Sequence, residues 1–256
     1  EGLHGVPFAR PLTRMRETIE VVRLAEAGER LALDGDQIRL PLPGGEGRAL
    51  RLSLRPGDEP LAIYIASLSP RMLALTGEVA DGWLGTSFVP EGAQSSMDAL
   101  AEGAARSGRT LADLDLCQGA EVAFARDEAE LHEMLQRRKA GLAFSLGGMG
   151  SARTNFYNAA YARQGFADVA AESQALWLAG RRDAAASVIP DSMVMATTLL
   201  GTESQVADRL RVWEDTGITQ VRLYPAGETL DERLDTLGRA LDLVRGLESS
   251  RSWESK

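Results

Sequence analysis

The chain has a single cysteine, Cys117, and two histidines, His4 and His132, in 256 residues. One thiol excludes an internal disulfide and fits a reducing cytoplasm. With two distant histidines and one cysteine there is no zinc constellation, so no metal is expected, and no Ser-His-Asp arrangement can be drawn from the spacing. Long apolar runs are missing too. No stretch approaches the ~20 residues of a membrane span and no basic-then-apolar leader is visible, which predicts a soluble chain. Positive charge is in deficit: 28 Lys and Arg against 37 Asp and Glu leave a net charge of −9. That balance disfavours nucleic acid or an anionic membrane as the partner and leaves room only for a local basic pocket. There is no internal repeat.

What is present is a 44% hydrophobic content, enough to bury a sizeable core as one large domain or one plus an appendage. The pattern centres on Pro60–Leu84. Leu61–Ala66 is apolar, uncharged and rich in β-branched and aromatic residues, the signature of a strand buried on both faces of a parallel sheet. Ser67-Leu68-Ser69-Pro70 follows, with Ser69 placed to N-cap a helix and Pro70 at its first position. Met72, Leu75 and Val79 give that helix one apolar face, Asp81-Gly82 turns the chain, and Trp83–Phe88 reads as the next strand. The result is a β-loop-α-β unit. In parallel β/α folds the loops after the strands carry ligands, and free N–H groups at a helix start suit a phosphate.

On either side of this unit the periodicity predicts further elements. Helices are expected over Leu12–Ala27, Met97–Ser107 and Leu230–Leu247, with a surface hairpin at Leu31–Leu42 around Asp34-Gly35. Leu116–Ala125 and Val221–Tyr224 read as strands. Asp127 and Glu130 form a capping-box pattern opening a helix that Gly147-Gly148-Met149-Gly150 breaks; that glycine run follows a helix and so is no dinucleotide fingerprint. Residues 151–196 carry helical patterns and no strand, as an inserted cap would. Thr202-x-x-Gln205 starts another helix. This assigns residues 1–247 to one β/α domain and 248–256 to a polar, frayed tail. Four strands are counted, where a closed (β/α)8 barrel needs eight.

IYIASLSPRMLALTGEVADGWL resembles the segment "IYIAALGPKMLxLAGEIADGWL" of the luciferase-like monooxygenase superfamily, in its branch of F420-dependent oxidoreductases. LHGVPFARPLTRMRE, NFYNAAYARQGFADVAAE and GTESQVADRLRVWEDTGITQVRLYPAG agree with the same family, in its order. The resemblance implies a TIM (β/α)8 barrel of which this chain holds the C-terminal part, strands five to eight. At ~30 residues per unit, ~120 residues would lie ahead of it. The wall behind the deazaflavin ring and much of the hydride-transfer machinery would then fall outside this sequence, and the catalytic residues stay unassigned. An upstream coding segment for four more β-α units would make the chain a truncated enzyme.

The candidate site is drawn from these residues. By resemblance, the loop Ala66, Ser67, Leu68, Ser69, Pro70 and Arg71 wraps the cofactor's phosphate-bearing side chain, mainly through backbone N–H groups; Ser69 stands where the family often has glycine. The plainer reading is a capped helix start with a solvated Arg71. Thr86, at the functional end of its strand, is a candidate cofactor or substrate contact. Phe156 and Tyr157 would floor a substrate pocket, with Asn158 and Arg163 orienting the substrate, although an aromatic pair at helical spacing is more often packing. His4 is placed to shuttle a proton at the pocket mouth, or is a solvated loop histidine. Asp81 reads as a turn residue, His132 as solvent-facing, and Cys117 as a small buried hydrophobe.

Three functions follow. The first is hydride transfer between coenzyme F420 and a small organic molecule. The second keeps the fold and uses FMN and oxygen in a monooxygenase. The third is an inactive fragment or an interaction subunit, because open sheet edges favour association. Members of the family are often dimers.

Overall fold

The ten residues Asp115–Phe124 form the longest strand, and the fold is built on its two edges. The structure is a computed structural model that describes residues 1–2, 5–53, 60–151 and 153–254. In chain order the strands are β1 (Leu33–Asp34), β2 (Arg39–Leu40), β3 (Tyr64–Ile65), β4 (Gly82–Gly85), β5 (Asp115–Phe124), β6 (Leu199–Gly201) and β7 (Gln220–Pro225). The helices are α1 (Pro11–Glu26), α2 (Pro70–Val79), α3 (Gln94–Arg106), α4 (Glu128–Ala143), α5 (Phe156–Tyr161), α6 (Ala167–Leu178), α7 (Arg182–Ser187), α8 (Asp191–Thr197), α9 (Glu203–Glu214) and α10 (Leu230–Glu254). Among the described residues no helix is long and apolar enough to cross a membrane.

β3 to β7 form one wholly parallel sheet, and β1–β2 a separate antiparallel hairpin. Val122 pairs with Leu199 of β6 and with Pro225 of β7, so those two strands lie on opposite edges of β5. Cys117 likewise pairs with Leu84 of β4 and Gln220 of β7. β4, paired with Asp115–Gln118, and β6, paired with Val122–Phe124, therefore share one edge of β5 in tandem.

Side chains alternate across the sheet. Leu116, Ala120, Val122 and Phe124 of β5, with Val221 and Leu223 of β7, join a core that includes Trp83, Leu100 and Trp213. Phe88 sits edge-on between two of its rings, 6.1 Å from Trp83 and 5.5 Å from Trp213. Gly119 and Glu121 of β5 and Arg222 and Tyr224 of β7 occupy the opposite face. A second cluster, with Leu142, Leu146, Ile189 and Met193 at its centre, unites α4 to α8. Helices α2 and α3 cross with almost no space between their backbones. A Cβ on Gly103 would lie 1.8 Å from the Ala74 carbonyl oxygen, and one on Gly77 2.0 Å from that of Leu100.

Several expectations change. The predicted strand Leu61–Ala66 shrinks to Tyr64–Ile65, with Leu61 and Tyr64 exposed: β3 pairs with β4 over these two residues only, and the backbone of Leu61 bonds instead to Arg23 and Glu26 of α1. Among the described residues the sheet has five strands, not four. Leu199–Gly201 is too short for a period-2 signal and is held by the register it takes from β5. Trp83–Phe88 leaves the strand at Gly85, where Ser87 turns into the left-handed region at φ 54°. Helix α10 runs on to Glu254, with no glycine or proline after Gly246 to stop it. The capping box at α4 is half made. Asp127 accepts from the Glu130 amide at 2.9 Å, but Glu130 reaches back to the Arg126 amide at 2.7 Å instead of that of Asp127.

Candidate functional site

The loop Ala66–Ser69 between β3 and α2 is held from three sides. The Thr76 hydroxyl donates to the Met72 carbonyl at 2.8 Å, so the Ser67 hydroxyl, 2.9 Å away, must donate to Thr76. Trp83 Nε1 donates to the Ser67 carbonyl at 3.0 Å. Arg163 Nη2 donates to the Leu68 carbonyl at 2.6 Å. Ser69 occupies the N-cap position with extended backbone and Pro70 follows at the first turn, as expected, but the Ser69 hydroxyl makes no capping bond. The first intrahelical bond runs from Leu73 to Ser69 at 2.9 Å, so the Arg71 and Met72 amides have no intrahelical partner.

This corner opens into a cleft of about 860 Å³, lined by Ala66–Ser69, Arg71 and Met72, by Pro7–Met15 and Thr18 from α1 and its approach, and by Phe156 and Tyr157. The volume suits an extended organic cofactor. Phe8 and Phe156, both exposed, stand with ring centroids 6.2 Å apart and form an apolar wall. Arg10, Arg14 and Arg71 supply positive charge. Arg10 is 3.2 Å from Asp36, and Arg14 donates to the Gln37 side-chain oxygen at 3.5 Å. A basic, partly apolar recess in a chain of net charge −9 is the local exception that the composition left open.

The scaffold under the cleft is electrostatic. Glu17 of α1 accepts from the backbone amides of Asp36, Gln37 and Ile38 at 2.8, 2.9 and 2.7 Å, which fastens the hairpin to the helix. Burial alone raises its carboxyl pKa, but the bonds from Gln37, Ile38 and Asp36 outweigh burial and hold it below the usual carboxylate value. Asp81 is a clamp more than a turn residue: it accepts from Arg23 of α1 at 2.5 Å and from the Ile63 amide at 2.7 Å.

The structure thus brings Ala66, Ser67, Leu68, Ser69 and Arg71 together with Phe156 and Tyr157 around one cleft. Ser67 serves it as a buried anchor. Pro70 faces a neighbouring groove beside Arg16 and Glu78. Asn158 does not reach the cleft: its amide donates to the Leu146 and Ala170 carbonyls at 3.0 and 2.7 Å, stapling α5 to α6. Arg163 stands behind the loop as a support, with burial lowering its pKa. Thr86 is exposed past the end of β4, on a separate recess. His4 lies outside the described residues. His132 is exposed on α4, and Cys117 is buried with its thiol pushed up by that burial.

Sequence reasoning missed Phe8, Arg10 and Arg14. The signal was available in the spacing: two arginines four apart flank Pro11 at the start of a helix, where they project from one face.

Comparison with known proteins gives this geometry its context. The family model described as luciferase-like monooxygenase matches residues 1–220. A Mycobacterium tuberculosis protein named as a candidate coenzyme F420-dependent oxidoreductase is 36% identical over 86% of this chain and 65% of its own length. The 5,10-methylenetetrahydromethanopterin reductase of Methanolobus tindarius is 28% identical over 93% of this chain and 68% of its own. Among solved structures, the coenzyme F420-dependent tetrahydromethanopterin reductase of Methanopyrus kandleri superposes with a TM-score of 0.64 over 91% of this chain and 61% of that one, at 21% identity, a likeness of fold. The chain therefore spans about two thirds of the length of these relatives. With a parallel β/α sheet, a cleft at the loop between β3 and α2 and a family match over most of its length, the chain belongs to the luciferase-like monooxygenase family.

Proposed function

We propose that the chain binds coenzyme F420 in the cleft between α1, the β3–α2 loop and Phe156, as part of an oxidoreductase acting on a small organic molecule. The observation that carries this is the convergence on one recess of three arginines, the free amides at the start of α2 and an aromatic wall. An anionic tail and a flat ring need these two kinds of surface side by side. The names borne by the relatives support the choice of F420 over FMN.

Arg10, Arg14 and Arg71 would meet the anionic tail, with the Arg71 and Met72 amides adding neutral donors. Phe8, Phe156 and Met72 would exclude water from the ring. Coenzyme F420 supplies an obligate two-electron hydride carrier when bound, so reduction or dehydrogenation fits better than oxygen activation.

The test is a titration of F420 against the protein, followed by quenching of cofactor fluorescence, with FMN in parallel. Saturable F420 binding at least tenfold tighter than FMN binding supports the proposal. Tighter FMN binding would move the chain to the monooxygenase reading, and no binding of either would remove the cofactor assignment.

A further inference from the structure

Between α5 and α6 the helical path breaks. Residues Ala162–Phe166 form one wide turn in which Gln164 lies at φ −95° and ψ 20° and Gly165 takes φ 100°, a value that glycine adopts without strain. Turns of this kind inside helices are frequent at functional sites. The side chains leading into the break reach two loops far away in the chain, both of which follow strands: β3–α2 and β4–α3.

Gln164 is buried, and three backbone groups engage its amide. The side-chain oxygen accepts from the Val89 amide at 2.8 Å, and the nitrogen donates to the Ser87 and Ala160 carbonyls at 2.7 and 3.0 Å. The first two bonds hold the turn in which Ser87 adopts a left-handed φ of 54°; the third ties the side chain to α5. Gly92 fits closely against the same corner, since a Cβ there would lie 2.6 Å from Gln164 Cα. The Tyr161 phenol is hydrogen-bonded with Ser87. Arg163, the neighbour in sequence, donates to the Leu68 carbonyl at 2.6 Å. One corner thus grips the β4–α3 loop through Gln164 and the β3–α2 loop through Arg163. A carboxylate would lack the donors and a hydrocarbon both donors and acceptor, so the position requires an amide.

Two walls of the cleft meet through this corner. Phe156 and Tyr157 ride on α5, to which Gln164 is bonded, and Ala66–Ser69 belong to the loop that Arg163 holds. We infer that Gln164 is the positioning residue of the cleft, fixing the aromatic wall and the polar loop at the separation that a ligand with a ring and an anionic tail must span. The identity of that ligand rests on the F420 reading above, whereas the positioning belongs to the chain alone. A ligand gripped at two points gains from both only when their spacing is right. Loss of the corner therefore harms the whole cofactor more than its ring alone.

Titration with F420, and with its ring-and-ribitol fragment that lacks the phosphate tail, compares the parent with Gln164→Leu, which nearly keeps the volume and removes the amide. F420 should bind the variant at least tenfold more weakly, with the fragment within twofold of the parent. Hydrogen exchange on the cofactor-free proteins reads the positioning directly. Amides in 66–75 and 85–93 should exchange faster in the variant, and those in 231–247 at the parent's rate. If Gln164→Leu does not fold, Gln164→Glu, which keeps the acceptor and loses at least one donated bond, takes its place. Equal weakening of F420 and fragment, unchanged F420 affinity, or unchanged exchange in the two loops would each overturn the inference. A parent that binds neither ligand would overturn the F420 reading instead, and the exchange rates then decide the positioning alone: faster loops support it and unchanged loops overturn it.

Discussion

Arg163 reaches across 95 residues of sequence to donate a hydrogen bond of 2.6 Å to the carbonyl oxygen of Leu68. This joins the helical region after α5 to the loop that frames the cleft. The Leu68 carbonyl is thereby occupied by the arginine. Arg163→Ala should weaken F420 binding about tenfold, ~1.4 kcal/mol, the scale of one hydrogen bond to a charged group. Fluorescence titration reads the affinity and a thermal melt the stability. A lowered Tm with unchanged affinity would confine the bond to folding.

The arginines of the cleft face an anionic tail in the proposed complex, so their contribution should depend on salt. Arg14→Gln and Arg71→Gln should each weaken F420 binding about three- to tenfold at low ionic strength, and each should flatten the dependence of affinity on salt. Titrations at several sodium chloride concentrations measure both quantities. An unchanged salt dependence in both variants would place the tail elsewhere.

The close crossing of α2 and α3 leaves no room for a methyl group. Gly103→Ala puts a Cβ 1.8 Å from the Ala74 carbonyl, against backbone that cannot rotate away, so the helices must separate. The expected loss of stability is about 1–3 kcal/mol, seen as a lower urea midpoint at unchanged m-value. Since α2 begins at the cleft, F420 affinity should fall as well.

Glu17 gives the fold a dependence on acid. Its carboxyl pKa is lower in the folded chain than the ordinary value of about 4.3. The stability it contributes is therefore fully present above that ordinary value and is lost as pH falls through the folded one. Glu17→Gln should be less stable than the parent at neutral pH, and the gap should narrow on acidification. Thermal melts between roughly pH 3 and 7 check this, the window that brackets carboxylate titration. A gap that is constant with pH would show that packing, not charge, is lost.

Local patterns in the chain were enough for the β-loop-α-β unit at Pro60–Leu84, the helical character expected over 151–196, the cap at Asp127 and the family. Each rests on local signals: apolar period, Pro70 at a helix start, Asp127 three residues before Glu130, or a run of matching residues. Which candidates share a cleft depends on how the elements pack in three dimensions. Asn158 and Phe156 are two residues apart, yet one staples helices and the other faces solvent beside Phe8, because α5 turns its polar and aromatic sides to different neighbours. The tandem placement of β4 and β6 on one edge of β5, the lining of one cleft by Arg10, Arg14 and Arg71, and the meeting of Arg222 with Ser87 and Tyr161 all join residues far apart in the chain. Such contacts form only when the sheet register and helix packing are complete, and no local pattern encodes them.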